Sequence, residues 1–174
     1  MRKNAPRGFY ARLYSPVLPR SDAEAYRAIR LDGLLKHPEA FGSSYEDEAS
    51  RPIEVTAERL DSGFVLGAFD SDEKLMGVAG LAIQTATKAK HKGTLWGMYV
   101  LPEARGTGLS RLLVGGIIAE ARGKVERLLL TVVSSNAAAL SLYRKAGFVE
   151  YGLEQRALRV DDAYFDEMLM ALSL

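Results

Sequence analysis

Apolar residues recur along this chain at a helical spacing in some stretches and alternate or run unbroken in others, which sets an order of elements. Phe9 to Tyr14 interleaves aromatic and apolar residues with polar ones and predicts a first strand. Pro19 opens a predicted helix over Ser21 to Lys36, where Tyr26, Ile29, Leu34 and Leu35 give a partial apolar face. His37 to Ser44 reads as a loop from its Pro, Gly and Ser content. A shorter helix is predicted within Tyr45 to Leu60, with Pro52 ending or kinking its first half.

Strands are predicted at Phe64 to Phe69 and Leu75 to Gln84, joined by a polar turn from Asp70 to Lys74, and again at Thr94 to Leu101. Pro102 and Glu103 close the last of these, and Gly106 to Gly108 lead into a helix reaching about Arg122, with Gly123 as its stop. Leu128 to Val133 is an unbroken apolar run, typical of a strand buried on both faces. Asn136 caps a further helix that continues to Ala146 and stops at Gly147. Phe148 to Leu153 and Tyr164 to Leu172 read as the last two strands. The order predicts one α+β (α/β mixed) domain over residues 1–174, with a mixed sheet of about seven strands and about four helices. Residues 1–7 are expected to form a flexible tail.

Composition narrows the classes of function. The chain has 174 residues, 48% hydrophobic and 26% charged, enough for one sizeable core. A formal net charge of +1 argues against nucleic acid or an anionic membrane as a partner. The basic groups at Arg2, Lys3 and Arg7, and at Lys88, Lys90 and Lys92, read as solvated tail and turn. Cys is absent, so no disulfide, thiol nucleophile or cysteine metal site is expected. His37 and His91 are the only imidazoles, both read as surface or loop residues, and no metal-ligand spacing occurs. The absence of a long apolar run or an apolar leader makes a cytoplasmic location the expectation.

The stretch from Met98 to Leu113 carries the most chemistry: a strand ends, glycines permit a tight turn, and a helix begins. The free N–H groups of such a helix start, with its partial positive charge, favour an anion. Gly106 and Gly108 let that anion approach the backbone, Arg105 adds a charge, and a diphosphate suits the site. Arg111 stands where a dinucleotide fingerprint needs its third glycine, and no Gly-Lys-Ser/Thr follows for a triphosphate loop. By itself the loop is equally compatible with a plain strand–helix connection. Gly115 and Gly116, each costing about 1 kcal/mol within a helix, suggest close packing against a strand or a second subunit.

Val100 to Leu113 resembles the coenzyme A pyrophosphate-binding motif of the GNAT (GCN5-related N-acetyltransferase) superfamily. The motif stands here as Arg105-Gly-Thr-Gly108-Leu-Ser110, departing at its last position, where small Ser110 can still donate a hydroxyl. A second block, Ser135-Asn136 through Tyr143 to Gly147-Phe148, is similar to that family's Asn, Tyr and Gly-Phe pattern, and Tyr164 to Met170 is similar to its last strand.

The resemblance implies acetyl-coenzyme A as co-substrate and a sheet splayed at a bulge beside the cofactor cleft, between the strand ending near Val100 and the strand starting near Leu128. Backbone groups of Met98 and Val100 would pair with the pantetheine arm as an added strand. The N–H groups of Gly106, Thr107, Gly108, Leu109, Ser110 and Arg111 would hold the pyrophosphate, with Arg105 beside them. Asn136 would touch the pantetheine while also capping its helix, and Tyr143 would lie near the sulfur. The Met98 N–H would polarise the thioester carbonyl. Read from the residues alone, Tyr143 is a helix tyrosine that fills core.

The implied reaction is direct attack, in a ternary complex, by a primary amine of a small molecule or a protein. Such an amine is mostly protonated, with a pKa of about 10.4, and no base is identified, so proton removal through ordered water is the expectation. Glu46, Asp47 and Glu48 follow the first helix and read either as a solvated helix start or as a field attracting a cationic acceptor. By analogy with the family a homodimer is the expected assembly. Two other readings stay open: a regulatory module that binds coenzyme A without transfer, and a non-catalytic interaction domain.

Overall fold

A computed structural model describes residues 10–11, 17–70 and 72–174. The expected tail at residues 1–7 lies outside the described residues. Of the expected first strand, only Tyr10–Ala11 falls within them, as strand β1.

The first helix begins as a 3-10 turn over Arg20–Asp22 and continues as α1, Ala23–Lys36. Tyr26, Ile29 and Leu34 are buried, whereas Leu35 is exposed. The region Tyr45 to Leu60 holds two helices, α2 (Tyr45–Ala49) and α3 (Ile53–Ser62), so the described residues contain five α-helices instead of about four. Pro52 separates the two helices and does not merely kink one. Its ψ of 150° is extended, and lacking an N–H it can serve only as the start of α3.

Glu48 ties these helices together. Its carboxylate lies 3.3 Å from Arg30 Nη2 on α1 and 3.0 Å from Arg59 Nη1 on α3, and its side chain is 8% exposed. Burial alone would raise the Glu48 carboxyl, but the two guanidinium groups outweigh it and hold it below its usual value. The stability drawn from it is therefore fully present above the unfolded carboxylate value of about 4.3. It is lost as pH falls through the lower folded value. Glu48→Gln should flatten the acid limb of an unfolding curve below about pH 4. An acid limb unchanged by the substitution would mean that the pair contributes nothing there.

The remaining elements are β2 (Phe64–Phe69), β3 (Leu75–Ile83), β4 (Lys92–Val100), α4 (Leu109–Ala121), β5 (Arg127–Val133), α5 (Ala137–Lys145), β6 (Val149–Val160) and β7 (Ala163–Ser173). They form a seven-stranded sheet in the order β1-β2-β3-β4-β5-β7-β6. Only the central β4–β5 pair is parallel. β6 runs seven residues beyond the expected Leu153 because backbone pairing to β7 holds it, and its side chains are mostly exposed, leaving no hydrophobic pattern to read.

Two cores flank the sheet. One joins α4 and α5 to the strands through Leu109, Leu113, Ile117, Leu140 and Tyr143. The other joins α1 and α3 to β2–β4 through Tyr26, Ile29, Leu60 and Tyr99. Of the two glycines in α4, Gly116 is explained by packing within the chain. A Cβ on Gly116 would lie 2.6 Å from Leu66 Cδ1 of β2, so a side chain there would force that leucine to shift, whereas Gly115 faces open space.

Candidate active site

The central parallel pair is short. Lys92, Gly93 and Thr94 of β4 pair with Arg127, Leu128 and Leu129 of β5, and beyond them the strands separate. Each remains held on its outer side, β4 by β3 up to the Gly77–Val100 pair and β5 by β7 up to the Val133–Glu167 pair. The half-sheets therefore splay into a cleft of about 620 Å³ between Leu95–Val100 and Thr131–Val133.

A bulge sets the splay. Val78 faces Tyr99 and Gly80 faces Trp96, so Ala79 alone opposes two residues of β4, Gly97 and Met98. Gly97 has a φ of +61°, a left-handed conformation open chiefly to glycine. The extra residue turns the local backbone away from β3. Met98 and Val100 both line the cleft.

At one end of the cleft, α4 begins. Gly108 is its N-cap with a φ of +93°, and no side chain caps the helix, so its first N–H groups lack intrahelical acceptors. Gly106, with a φ of +75°, and Ser110 line the cleft, and Cβ positions on Gly106 and Gly108 meet no atom within 4 Å. Leu109 is buried in the core, so only its backbone is free to act, while the exposed Thr107 donates its hydroxyl to the Ala104 carbonyl at 2.7 Å. Thr107, Gly108, Leu109 and Arg111 are not among the residues lining the cleft. Arg105 lines it but is already engaged: its Nε donates to the Val100 carbonyl at 3.2 Å, its Nη2 lies 3.1 Å from His37 Nε2, and its guanidinium sits 5.8 Å from the Tyr99 ring.

The opposite wall comes from β5 and α5. Asn136 lines the cleft and caps α5 by accepting from the Ala139 N–H at 3.1 Å, a bond that uses its amide oxygen and not its amide nitrogen. Tyr143 lies two turns along the same helix, is 6% exposed and packs edge-on against Phe148, with ring centroids 5.9 Å apart. Burial pushes its phenol up to about 12, so the group is a neutral hydrogen-bond donor.

Residues from the loop after α1 close the site, and sequence reasoning missed them. His37, Glu39, Ala40 and Phe41 line the cleft, whereas Glu46, Asp47 and Glu48 do not. Glu48 is consumed by its buried ion pairs, and Asp47 sits in the first turn of α2, where its N–H donates to the Ser44 hydroxyl. The sequence marks His37 as an ordinary loop residue, yet its ring lies 6.1 Å from that of Tyr99. Because Arg105 can only donate, His37 Nε2 is the accepting nitrogen of this contact. The Tyr99 hydroxyl donates to Asp32 Oδ2 at 2.8 Å, and burial together with that carboxylate raises it to about 12. A glycine within the β4 pattern was the available signal for the bulge, whereas nothing local marks His37. Among the described residues there is no cluster of three metal-ligating side chains, and no helix is long and apolar enough to cross a membrane.

Residues 30–148 match the model of the acetyltransferase (GNAT) family. A mycothiol acetyltransferase from Tsukamurella paurometabola is 31% identical over 153 residues, covering 85% of this chain and 51% of that protein. The chain thus spans about half the length of this relative. A phosphinothricin N-acetyltransferase from Alcaligenes faecalis is 34% identical over 140 residues, covering 73% of this chain and 71% of that protein. Among solved structures, the Salmonella typhimurium protein yncA, determined with its cofactor acetyl-CoA, superposes with a TM-score of 0.77 at 21% identity over 96% of this chain and 94% of that one.

Proposed function

The chain belongs to the GNAT acetyltransferase family, and from that premise we propose that it transfers an acetyl group from acetyl-CoA to a primary amine of a small molecule. The observation that carries this reading is the convergence on one cleft of a bulged strand, an uncapped glycine-led helix start and a buried, neutral tyrosine. The N-acetyl transfer named for the Alcaligenes faecalis relative and the acetyl-CoA of the Salmonella typhimurium protein support the choice of substrates.

In this reading the pyrophosphate sits on the N–H groups from Gly106 to Arg111, and the pantetheine arm pairs with Met98 and Val100 and touches Asn136. The acceptor enters past His37 and Phe41. Its neutral nitrogen attacks the thioester carbon, and the Met98 N–H holds the oxyanion that develops. The C–S bond then breaks, Tyr143 hydrogen-bonds the departing thiolate, and the amine proton passes to His37 or to solvent. The site offers no thiol for an acyl-enzyme, which favours direct transfer.

Acetyl-CoA-dependent thiol release across an amine panel tests the proposal. No release with any amine, or no binding of acetyl-CoA, would overturn it. Two variants separate the roles within the cleft. Arg105→Ala should weaken acetyl-CoA binding by about tenfold, less than a full charge-assisted bond, because the wild-type guanidinium must first leave Val100 and His37. His37→Gln should leave that affinity intact and lower acceptor turnover at least about tenfold. Identical effects of both variants on cofactor affinity would refute this division.

A further inference from the structure

Behind the β4 bulge lies a charged cluster that the acetyl-transfer chemistry does not use. The Arg30 side chain is 8% exposed, stacks 4.9 Å from the Phe41 ring centroid, and uses Nη2 for Ser43 Oγ and Glu48 Oε1, each at 3.3 Å. Its Nε and Nη1 have no hydrogen-bond partner among the described residues. Nη1 borders the cleft wall: it lies 3.7 Å from where a Cβ on Gly97 would stand, and apart from the residues flanking Gly97 it is the only heavy atom of the described residues within 4 Å of that point. Gly97 and Phe41 both line the cleft. A buried guanidinium donor therefore stands just behind the cleft wall where the strand has no side chain, although Arg30 itself is not among the residues that line the cleft.

Leaving such a donor unpaired is costly, and a ligand oxygen that reaches it gains a charge-assisted bond. The charge of the cluster selects among anions. Arg30 and Arg59 share the single carboxylate of Glu48, leaving one positive charge uncompensated, which matches one carboxylate better than a doubly charged phosphate. Gly97 also immediately precedes Met98, so an anion held behind Gly97 keeps an amine only a few bonds away beside the bulge.

We propose that Arg30 anchors a carboxylate of the acceptor through Nη1, so that the substrates acetylated in this cleft are amines bearing a nearby carboxylate, amino acids or their analogues. The proposal rests on the transferase reading above and specifies its second substrate.

The test compares matched acceptors with the full chain at saturating acetyl-CoA: the common L-amino acids, their carboxamides, and spermidine as a cation without a carboxylate. At least one free amino acid should be acetylated with kcat/KM about 10- to 100-fold above its carboxamide, the difference residing in KM. The double variant Arg30→Met with Glu48→Gln removes both buried charges together. It should bring that ratio close to one while acetyl-CoA affinity is unchanged. A purely structural role would lower both acceptors equally and preserve the ratio. A wild-type ratio near one overturns the proposal even where the variant fails to fold, and Arg105→Ala with the ratio retained excludes the other cleft guanidinium as the anchor. Carboxamides or spermidine used as well as or better than every free amino acid would overturn the proposal. So would an enzyme that binds acetyl-CoA and acetylates no free amino acid, or a ratio that survives in a folded double variant. Failure of the wild type to bind acetyl-CoA would overturn the transferase reading, and this proposal with it.

Discussion

Tyr143→Phe is expected to lower single-turnover acetyl transfer by about 10²–10⁴-fold with little change in acetyl-CoA affinity. The ring is buried and packs edge-on against Phe148, contacts that phenylalanine preserves, so the variant removes only the hydroxyl. Burial has raised the phenol to about 12. Against an alkyl thiol near 8.5, full proton transfer to the thiolate would be uphill by about 3.5 units, or about 5 kcal/mol. The same dry surroundings raise the pKa of the departing thiol and narrow that gap. In the proposed mechanism Tyr143 therefore acts first as a hydrogen-bond donor to developing negative charge, and any proton transfer comes late. Single-turnover measurement is required because slow product release would mask the loss. Wild-type chemistry in a folded Tyr143→Phe variant would make the tyrosine a packing residue, as its helical position alone suggests.

Gly108→Val should weaken acetyl-CoA binding by about 10²-fold or more through the loss of charge-assisted backbone bonds, while the protein stays folded. With a φ of +93°, Gly108 holds a conformation that a β-branched residue adopts only under strain of about 1–3 kcal/mol. A Cβ there meets no protein atom within 4 Å, so the core is untouched and the cost stays local. Relaxing that strain rotates the first turn of α4 and misaligns the N–H groups of Leu109 to Arg111, and the isopropyl group stands where the phosphate approaches. Gly108→Ala, with less bulk at the same φ, should fall between wild type and Gly108→Val. Calorimetric affinities within about threefold of wild type in a folded Gly108→Val protein would remove the helix start from the phosphate site.

Local order was written in the sequence wherever a short-range cause sufficed. The β2 strand begins and ends where the apolar run does, α4 starts after its glycines, and α5 starts at an asparagine that caps it. The family motifs occupy these same short segments, so membership in the GNAT family was legible from Met98 to Phe148. The bulge was implied by the family resemblance, whereas the residues themselves marked it only by a glycine in a strand pattern. The full length of β6 was not legible, because pairing with β7 sustains it without burying its side chains.

The tertiary structure decided which charges serve the cleft and which serve the fold. Glu48 belongs to an acidic run identical in character to its neighbours Glu46 and Asp47, and only the meeting of α1 with α3 turns it into a buried ion-pair partner. His37 and Arg105, 68 residues apart, come within 3.1 Å because α1 packs across the sheet beside the end of β4. Arg30 has no special sequence signal, yet its orphaned nitrogen reaches the wall of the cleft at Gly97. Sequence by itself determined the elements, the glycine-led start of α4 and the asparagine–tyrosine helix, since each depends on residues a few positions apart. The cleft wall at His37, Phe41 and Gly97 depends on contacts between distant segments, whose strength comes from burial and charge pairing, and those exist only once the sheet has folded.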